Sequence, residues 1–439
     1  MKRRSMMKPE NKHKSKIKIV SSRKSKENKG VVFIAMSGGV DSSVAALLLK
    51  QRGFGVIGVF MKNWTEKVPG LIYCPWEEDQ RSARMAAAKI GIPFYTWNFE
   101  VEYKKIVFHN FIEGYQKGET PNPDVLCNKE IKFGLFLEKA KKLGADFIAT
   151  GHYVKLKQNS SNRTAGFPIP AIGNQLYSRR DGSRKTGDRD RRVSENFSWK
   201  NSFSLSVAHD SNKDQSYFLW TLKQSQLRHC LFPLGDLTKP EVRKIAAKAG
   251  LPNAKRKDSQ GLCFVGQVSL KDFLKPYIKE KPGKVVFVNF SKNKKLEEVI
   301  GKHQGIHLFT LGQRSGIGIG GGKPYFVCAK NKKENILYVC EKKDLVKFFP
   351  THISIKNASW INRPVKFPIK CFVRYRYRQP LLRAVINSDV ASRSPDSGRR
   401  GRKAFGVYVV FDKPPVAITP GQSIVFYKGK QMLGGGIIK

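Results

Sequence analysis

Acidic residues are scarce in this 439-residue chain. Asp and Glu number 34 against 82 Lys and Arg, a formal charge of +48 and a pI near 10.1. A surface so short of carboxylates calls for a polyanionic partner, nucleic acid ahead of an acidic membrane. Long apolar runs are missing too: none reaches the roughly 18 residues needed to cross a bilayer, so no membrane role is expected. The first 29 residues, rich in Lys, lack the apolar centre of a secretory signal and read as a disordered basic arm. Cysteine is sparse: seven residues, an odd number, with no CxxC, which excludes a disulfide framework. A reducing, cytoplasmic setting follows, in which any disulfide is transient and catalytic. No His/Cys cluster has zinc spacing, so no protein-held metal is expected. The lysine of the GxxxxGK[ST] phosphate loop is also absent.

What is present begins at residue 31. Strand-like runs at 31–36, 55–60, 93–99 and 146–150 alternate with the helical patterns SSVAALLLKQRG, EEDQRSARMAAAKIG and KEIKFGLFLEKAKKLG, each stopped by a glycine. This alternation predicts a doubly wound parallel sheet, whose ligands gather at the carboxyl ends of the strands. From about 157 to 208 the periodicity dissolves into a Ser-, Gly- and Arg-rich basic insertion. Thr238 and Glu241 then form a capping box, with Pro240 in the first turn and Gly250 as the stop. Beyond Pro282, short β-like runs separated by glycines (GKVVFV, PYFVCAK, NILYVC) predict a small β-rich central domain. After Pro350 stronger alternation, with a hairpin turn at Lys428-Gly429, predicts an antiparallel barrel interrupted by a second basic loop, SDVASRSPDSGRRGRK. The expected division is a catalytic domain over 30–270, with its insertion at about 158–208, a central domain over 271–345 and the barrel over 346–439.

SGGVDSS, at 37–43, sits where the first strand turns into the first helix. Gly38 and Gly39 permit a tight anion cradle, and Ser37, Ser42 and Ser43 add hydroxyls. The helix N-terminus contributes partial positive charge. Asp41 is the oddity in a phosphate loop. A carboxylate there makes sense if it meets the phosphates through Mg²⁺, in an enzyme that cleaves ATP between its α- and β-phosphates. The bland reading is a helix cap with no ligand.

SGGVDSS resembles the PP-loop of the ATP pyrophosphatase superfamily. With TPNPDVLCNKEIKFG (120–134), ATGHY (149–153), DSNKDQSYFL (210–219), DSQGLCFVG (258–266), LFTLGQRSGIGIGG (308–321), RYRQ (376–379) and TPGQSIVFY (419–427), the chain resembles the tRNA-specific 2-thiouridylases, the MnmA family. The resemblance implies a PP-loop, HUP-like catalytic domain and ATP-dependent 2-thiolation of a wobble uridine in tRNA. It implies nucleotide binding by Ala35, Met36, Ser37, Gly38, Gly39, Val40, Asp41, Ser42, Met61 and Gly151, and leaves His152 as a phosphate contact. Cys263 would carry a persulfide, Cys127 would be its partner in releasing sulfur, and Asp124 would act as acid/base or positioning group. tRNA contacts would come from Asn122, Pro123 and Asp124, from Lys213, Asp214 and Gln215, and from Arg376 and Tyr377.

The residues themselves leave blander options at several of these positions: buried packing for either cysteine, an Asx turn for Asp124, a polar surface turn for Lys213-Asp214-Gln215. RYRYRQ fits RNA independently, as a strand with guanidinium groups on one face and rings on the other. Implied cofactors are ATP and Mg²⁺, with persulfide sulfur from a sulfur-relay or cysteine desulfurase protein. Some thiolation enzymes hold an iron–sulfur cluster on three cysteines. Here Cys127, Cys263 and Asp124 are the available ligands, and a cluster is left open. A monomer is expected. The rival readings are another PP-loop enzyme acting on RNA or on a small amide or acid, and an RNA-binding protein with a degenerate nucleotide site.

Overall fold

The computed structural model describes residues 29–65, 76–160, 201–257, 270–291, 294–320, 323–362, 365–388 and 406–439. The basic arm, most of both basic insertions and the DSQGLCFVG motif with Cys263 lie outside the described residues.

Five parallel strands form the first sheet: β1 (Val31–Ala35), β2 (Gly55–Lys62), β3 (Phe94–Asn98), β4 (Phe147–Ala149) and a short strand at Cys230–Leu231. Their order is β3-β2-β1-β4 and then the short strand. The chain therefore winds outward from β1 in one direction through β2 and β3, then returns to β1's other side with β4. The crevice between β1 and β4 is the switch point at which such sheets bind ligands. Helix α1 (Val40–Gln51) follows β1 and buries Val40, Val44, Ala45, Ala46 and Leu49 against the sheet. Fully burying one leucine of this kind contributes about 1.5–3 kcal/mol. Helix α2 (Trp76–Ile90) packs beside it through Ala83, Ala86, Ala87 and Ile90. The glycine stops hold: Gly53, Gly91 and Gly144 all adopt positive φ.

Four more strands build the central unit: β8 (Gly283–Ser291), β9 (Lys294–His303), β10 (Phe326–Asn331) and β11 (Ile336–Cys340), in the order β10-β11-β8-β9; the numbering counts the short strand as β7 and a hairpin described next as β5–β6. The sequence reading missed β9. It is an edge strand rich in Lys and Glu, and its Leu296 and Val299 are exposed, so no buried face imposes alternation.

The C-terminal unit is a closed barrel of β12 (His352–Trp360), β13 (Ile369–Arg374), β14 (Leu382–Ser388), β15 (Val407–Phe411), β16 (Ser423–Lys428) and β17 (Gln431–Ile438). Closure comes from β12, which pairs with β15 on one side and β17 on the other. Here the structure departs from expectation. The two ends of the stretch read as a loop are strands, β5 (Lys155–Ser160) and β6 (Asn201–Ser206), paired with each other. β6 also pairs with β17, through Met432 opposite Leu205 and Gln431 opposite Ser206. Side-chain polarity hid them: KLKQNS and NSFSLS carry few apolar residues. One hydrophobic core joins the catalytic sheet to the barrel, including Phe33, Cys127, Phe136 and Leu205 with Val425, Tyr427 and Met432.

Candidate active site

The loop after β1 is held from behind. Gly38 has φ +82°, and a Cβ there would lie 2.3 Å from the backbone oxygen of Asp79, so the left-handed turn and the close approach of α2 both demand glycine. The Gly38 carbonyl accepts from Ser82 Oγ (2.8 Å), Asn253 Nδ2 (2.9 Å) and Arg256 Nη1 (3.3 Å). Arg256 is itself fixed by Asp79 at 2.6 Å, whose carboxyl is raised above the ordinary range by burial against the opposing pull of Arg256. The carbonyl is thus pinned beside the start of α1. Gly39 occupies the N-cap position without a side-chain cap, leaving the helix terminus open for an anion. Ser42 Oγ accepts from the Ser37 N–H (3.2 Å), and the Ser42 and Ser43 hydroxyls both donate to the Gly39 carbonyl.

Asp41 lies in the first turn of α1 and is chelated by Lys239 Nζ at 2.7 and 2.8 Å. The Tyr153 hydroxyl donates to the same carboxylate at 2.8 Å. Lys239 is buried, and its backbone N–H is anchored on Asp210 Oδ2. Sequence reasoning missed Lys239, Asn253 and Arg256. The first was visible only as a residue in a capped helix, and the capping box is indeed formed, with Thr238 and Glu241 exchanging bonds. Nothing local signals that its Nζ reaches back to the phosphate loop.

Gly151, on the opposite lip after β4, packs on α1: a Cβ would sit 2.8 Å from Ser42 N. Helix packing alone therefore requires this glycine. His152 is buried between Phe133 and Phe232, with Nδ1 bonded to Thr150 Oγ1 at 2.7 Å. Burial first, and Lys132 second, hold its pKa well below the ordinary value. A buried, neutral ring does not fit the expected phosphate contact. Ala35, Met36, Val40 and Met61 are buried at the sheet's ligand edge.

The two prolines of TPNPDVLC favour an extended turn, since proline cannot continue a helix. Instead, Pro123 opens a helical run over 123–142, because proline is tolerated at the first helical position. Asn122 caps it, accepting from the Val125 N–H at 3.2 Å. Asp124 lies half-buried in the first turn, and Cys127 follows one turn later with no exposed surface. The run changes at Cys127 from α-helical to wider π-type turns, a geometry concentrated at functional sites.

Three family models match this chain: a tRNA methyl transferase HUP domain over 30–174 and 185–267, a tRNA methyl transferase PRC-barrel domain over 271–341, and an aminomethyltransferase β-barrel domain over 400–438. The chain is 42% identical over 411 residues to the tRNA-specific 2-thiouridylase MnmA of Alkaliphilus oremlandii, covering 93% of this chain and 96% of that protein. It is 41% identical over 415 residues to the MnmA of Salmonella paratyphi B, with 93% and 96% covered. The chain belongs to the MnmA family of tRNA-specific 2-thiouridylases.

Several residues expected to face tRNA by likeness to that family also make contacts within the protein. Asp214 is buried, and its carboxylate accepts from the Ala208 and Ser216 N–H groups, from Ser216 Oγ (2.9 Å) and from Arg374 Nη1 (3.0 Å). It ties the catalytic unit to β13 of the barrel and is not part of a polar surface turn. Lys213 and Gln215 beside it are half-exposed, with Gln215 bonded to the Tyr153 backbone. RYRYRQ is not a two-faced strand either, because β13 ends at Arg374 and the chain turns through Arg378 with φ +64°. Tyr375 is buried and Arg374 is paired. Arg376 donates to the Leu311 carbonyl and to Thr419 Oγ1, which clamps the central unit to the barrel. Tyr377 packs on Phe218, with ring centroids 4.6 Å apart.

Among the described residues no three His, Cys, Asp or Glu side chains gather as a metal site. A single carboxylate at the phosphate loop suits an ion that arrives with a nucleotide's phosphates, since Mg²⁺ in such sites takes only one or two protein carboxylates. Asp41 fits that description. For an iron–sulfur cluster the described residues assemble no ligand set, and Cys263 lies outside them.

Proposed function

We propose that this protein is an ATP-dependent tRNA-uridine 2-sulfurtransferase that converts the wobble uridine to 2-thiouridine. The observation that carries the reading is the pinned Gly38 carbonyl beside the uncapped N-terminus of α1, at the switch point of the parallel sheet. This cradle suits pyrophosphate, the group that leaves when a nucleophile attacks the α-phosphate of ATP. Asp41 would hold Mg²⁺, which supplies charge neutralisation on the phosphates. Lys239, released from Asp41 or shared with it, adds a cation on the same side.

In this reading the uridine O2 attacks the α-phosphorus, pyrophosphate departs, and the base oxygen becomes part of an AMP leaving group. The terminal sulfur of a Cys263 persulfide attacks C2, and AMP is expelled. Cys127 thiolate then attacks the Cys263 Sγ, leaving sulfur on C2 and a Cys127–Cys263 disulfide that an external thiol reduces. Cys127 is buried, so the helical run at 123–135 has to expose it during the cycle. Asp124, three positions before it, would manage the proton. Asn122, Pro123, Lys213, Gln215 and Tyr377 would border the RNA, and the sulfur would come from a sulfur-relay or desulfurase protein. The net charge of +48 favours a nucleic acid over a small acid or amide as the substrate.

The test is mass spectrometry of tRNA nucleosides after incubation with the protein, ATP, Mg²⁺ and a persulfide donor. 2-Thiouridine at the wobble position is expected. ATP cleavage with a small amide or acid acceptor, and no sulfur in tRNA, would refute the reading in favour of another PP-loop chemistry.

A further inference from the structure

The stretches 314–320 and 323–325 in the central unit lie outside the crevice described above, and the glycines at 316, 318 and 320 are not held there by packing. Gly38, Gly151 and Gly312 are glycine because protein atoms stand where a Cβ would go, at 2.3, 2.8 and 2.2 Å. At Gly318 and Gly320 nothing lies within 4 Å of that position, and at Gly316 the nearest atom is Gln313 Nε2 at 3.8 Å. Positive φ accounts for glycine at 316 and 318, but Gly320 has neither reason. The residues between them behave oppositely: Ile317 is buried in the core of this unit, and Ile319 packs against it. The segment thus turns its isoleucines inward and exposes a strip of bare backbone.

That strip lines an open concavity of about 470 Å³ together with Arg314, Lys323 and Tyr325, and the edges of Ile317, Ile319 and Pro324 complete the wall. Both cations are exposed, and Lys323 reaches Glu341 only across a solvated 3.2 Å pair. The base of the segment is tied down by hydrogen bonds. Gly312 N–H donates to the Val327 carbonyl (2.7 Å), Gln313 Oε1 accepts from Thr310 N–H (2.9 Å), Gln313 Nε2 donates to the Ser315 carbonyl (2.8 Å), and Arg376 holds the Leu311 carbonyl from the barrel.

We infer that this concavity is a docking site for the sugar–phosphate backbone of the tRNA, separate from the site that handles the reacting uridine. The inference rests on the tRNA reading above. Bare backbone, two cations and a pre-set base recognise phosphates without reading sequence. The open shape admits a polymer passing through, where a small-ligand site would enclose its guest. Arg376 then acts indirectly, by fixing the platform.

The experiment compares the wild type with Arg314→Ala/Lys323→Ala and with Gly320→Val, measuring affinity for intact tRNA across a salt series by fluorescence anisotropy. All three positions are exposed, so the variants should fold, and unchanged circular dichroism and thermal midpoint check this. The double variant should flatten the slope of log K against log salt by about 0.7–0.9 per lost phosphate contact. Gly320→Val should weaken binding several-fold with little change in slope, because it fills the strip without removing charge. Pyrophosphate release at saturating tRNA should be unchanged in both. Wild-type affinity and slope in both variants would overturn the inference. So would inorganic phosphate competing with tRNA at millimolar levels through this site alone, since that marks a small-anion pocket. If the wild type itself binds no tRNA, it is the functional reading that fails.

Discussion

Replacing either partner of the Asp41–Lys239 pair should give unequal effects, and the inequality follows from burial. The Lys239 side chain is 10% exposed and that of Asp41 31%. Asp41→Asn takes a bidentate carboxylate away from a nearly buried ammonium, a change that costs about 3 kcal/mol when a buried pair loses one member. Lys239→Met leaves a carboxylate that still accepts from Tyr153 and lies in the first turn of α1, where the helix dipole returns about 0.3–1 kcal/mol. Its expected cost is about 1–2 kcal/mol. At about 2–4 °C per kcal/mol for a unit of this size, Asp41→Asn should lower the melting temperature by about 6–12 °C and Lys239→Met by about 2–8 °C. The double variant should lie near Lys239→Met rather than at the sum. Differential scanning fluorimetry on the four proteins completes the cycle. Additive losses, or a larger loss for Lys239→Met, would refute the account of the pair. Tracking tRNA-dependent pyrophosphate release in parallel should show Asp41→Asn inactive while its tRNA affinity stays within about twofold.

Gly38→Ala should destabilise the loop and abolish ATP turnover, because a Cβ would meet the Asp79 carbonyl. Gly39→Ala, with its nearest neighbour 3.5 Å away, should fold normally and raise the KM for ATP; an unchanged KM would mean the phosphates do not approach there. Cys263→Ser should still release pyrophosphate yet form no 2-thiouridine, and Cys127→Ser should accept a persulfide on Cys263, seen by peptide mass, without turning over; full thiolation by either would return both cysteines to packing roles. Because burial holds His152 neutral in the fold, the unfolded chain binds more protons below its ordinary pKa of about 6.5, so stability should fall as pH drops below that value. His152→Gln should flatten this acid limb in melting temperatures taken from pH 7 to pH 5, and an identical limb in the variant would assign it elsewhere.

The sheet, its winding and the phosphate loop were legible because each rests on local pattern: buried strands of four to eight residues, glycine stops and a strand-to-helix turn. Parts of the barrel showed the same clarity, since Ile353 and Ile355 alternate with more exposed neighbours, and Val407 and Val409 with half-buried ones. What sequence could not show was set by distant partners. Asp214 is polar in a polar stretch, and only Arg374, 160 residues away, makes it a buried knot. Lys239 gains its meaning from Asp41, 198 residues earlier. RYRYRQ alternates like a strand, yet the left-handed turn at Arg378 and the burial of Tyr375 override that pattern. Pro123 misled for the opposite reason, since proline bars a helix from continuing but favours its first residue.

The β5–β6 hairpin leaves the catalytic unit after Val154, lies along β17 and returns at Val207, whose N–H donates to the Lys430 carbonyl at 2.9 Å. Chain order and spatial allegiance therefore disagree for this stretch. A chimera that exchanged the C-terminal barrel with that of a relative at a junction near 346 would strand the hairpin against a foreign β17. The functional graft has to carry β5 and β6 along with the barrel strands. Chain added between β5 and β6 therefore departs from two strands paired onto the barrel, not from the sheet that carries the phosphate loop.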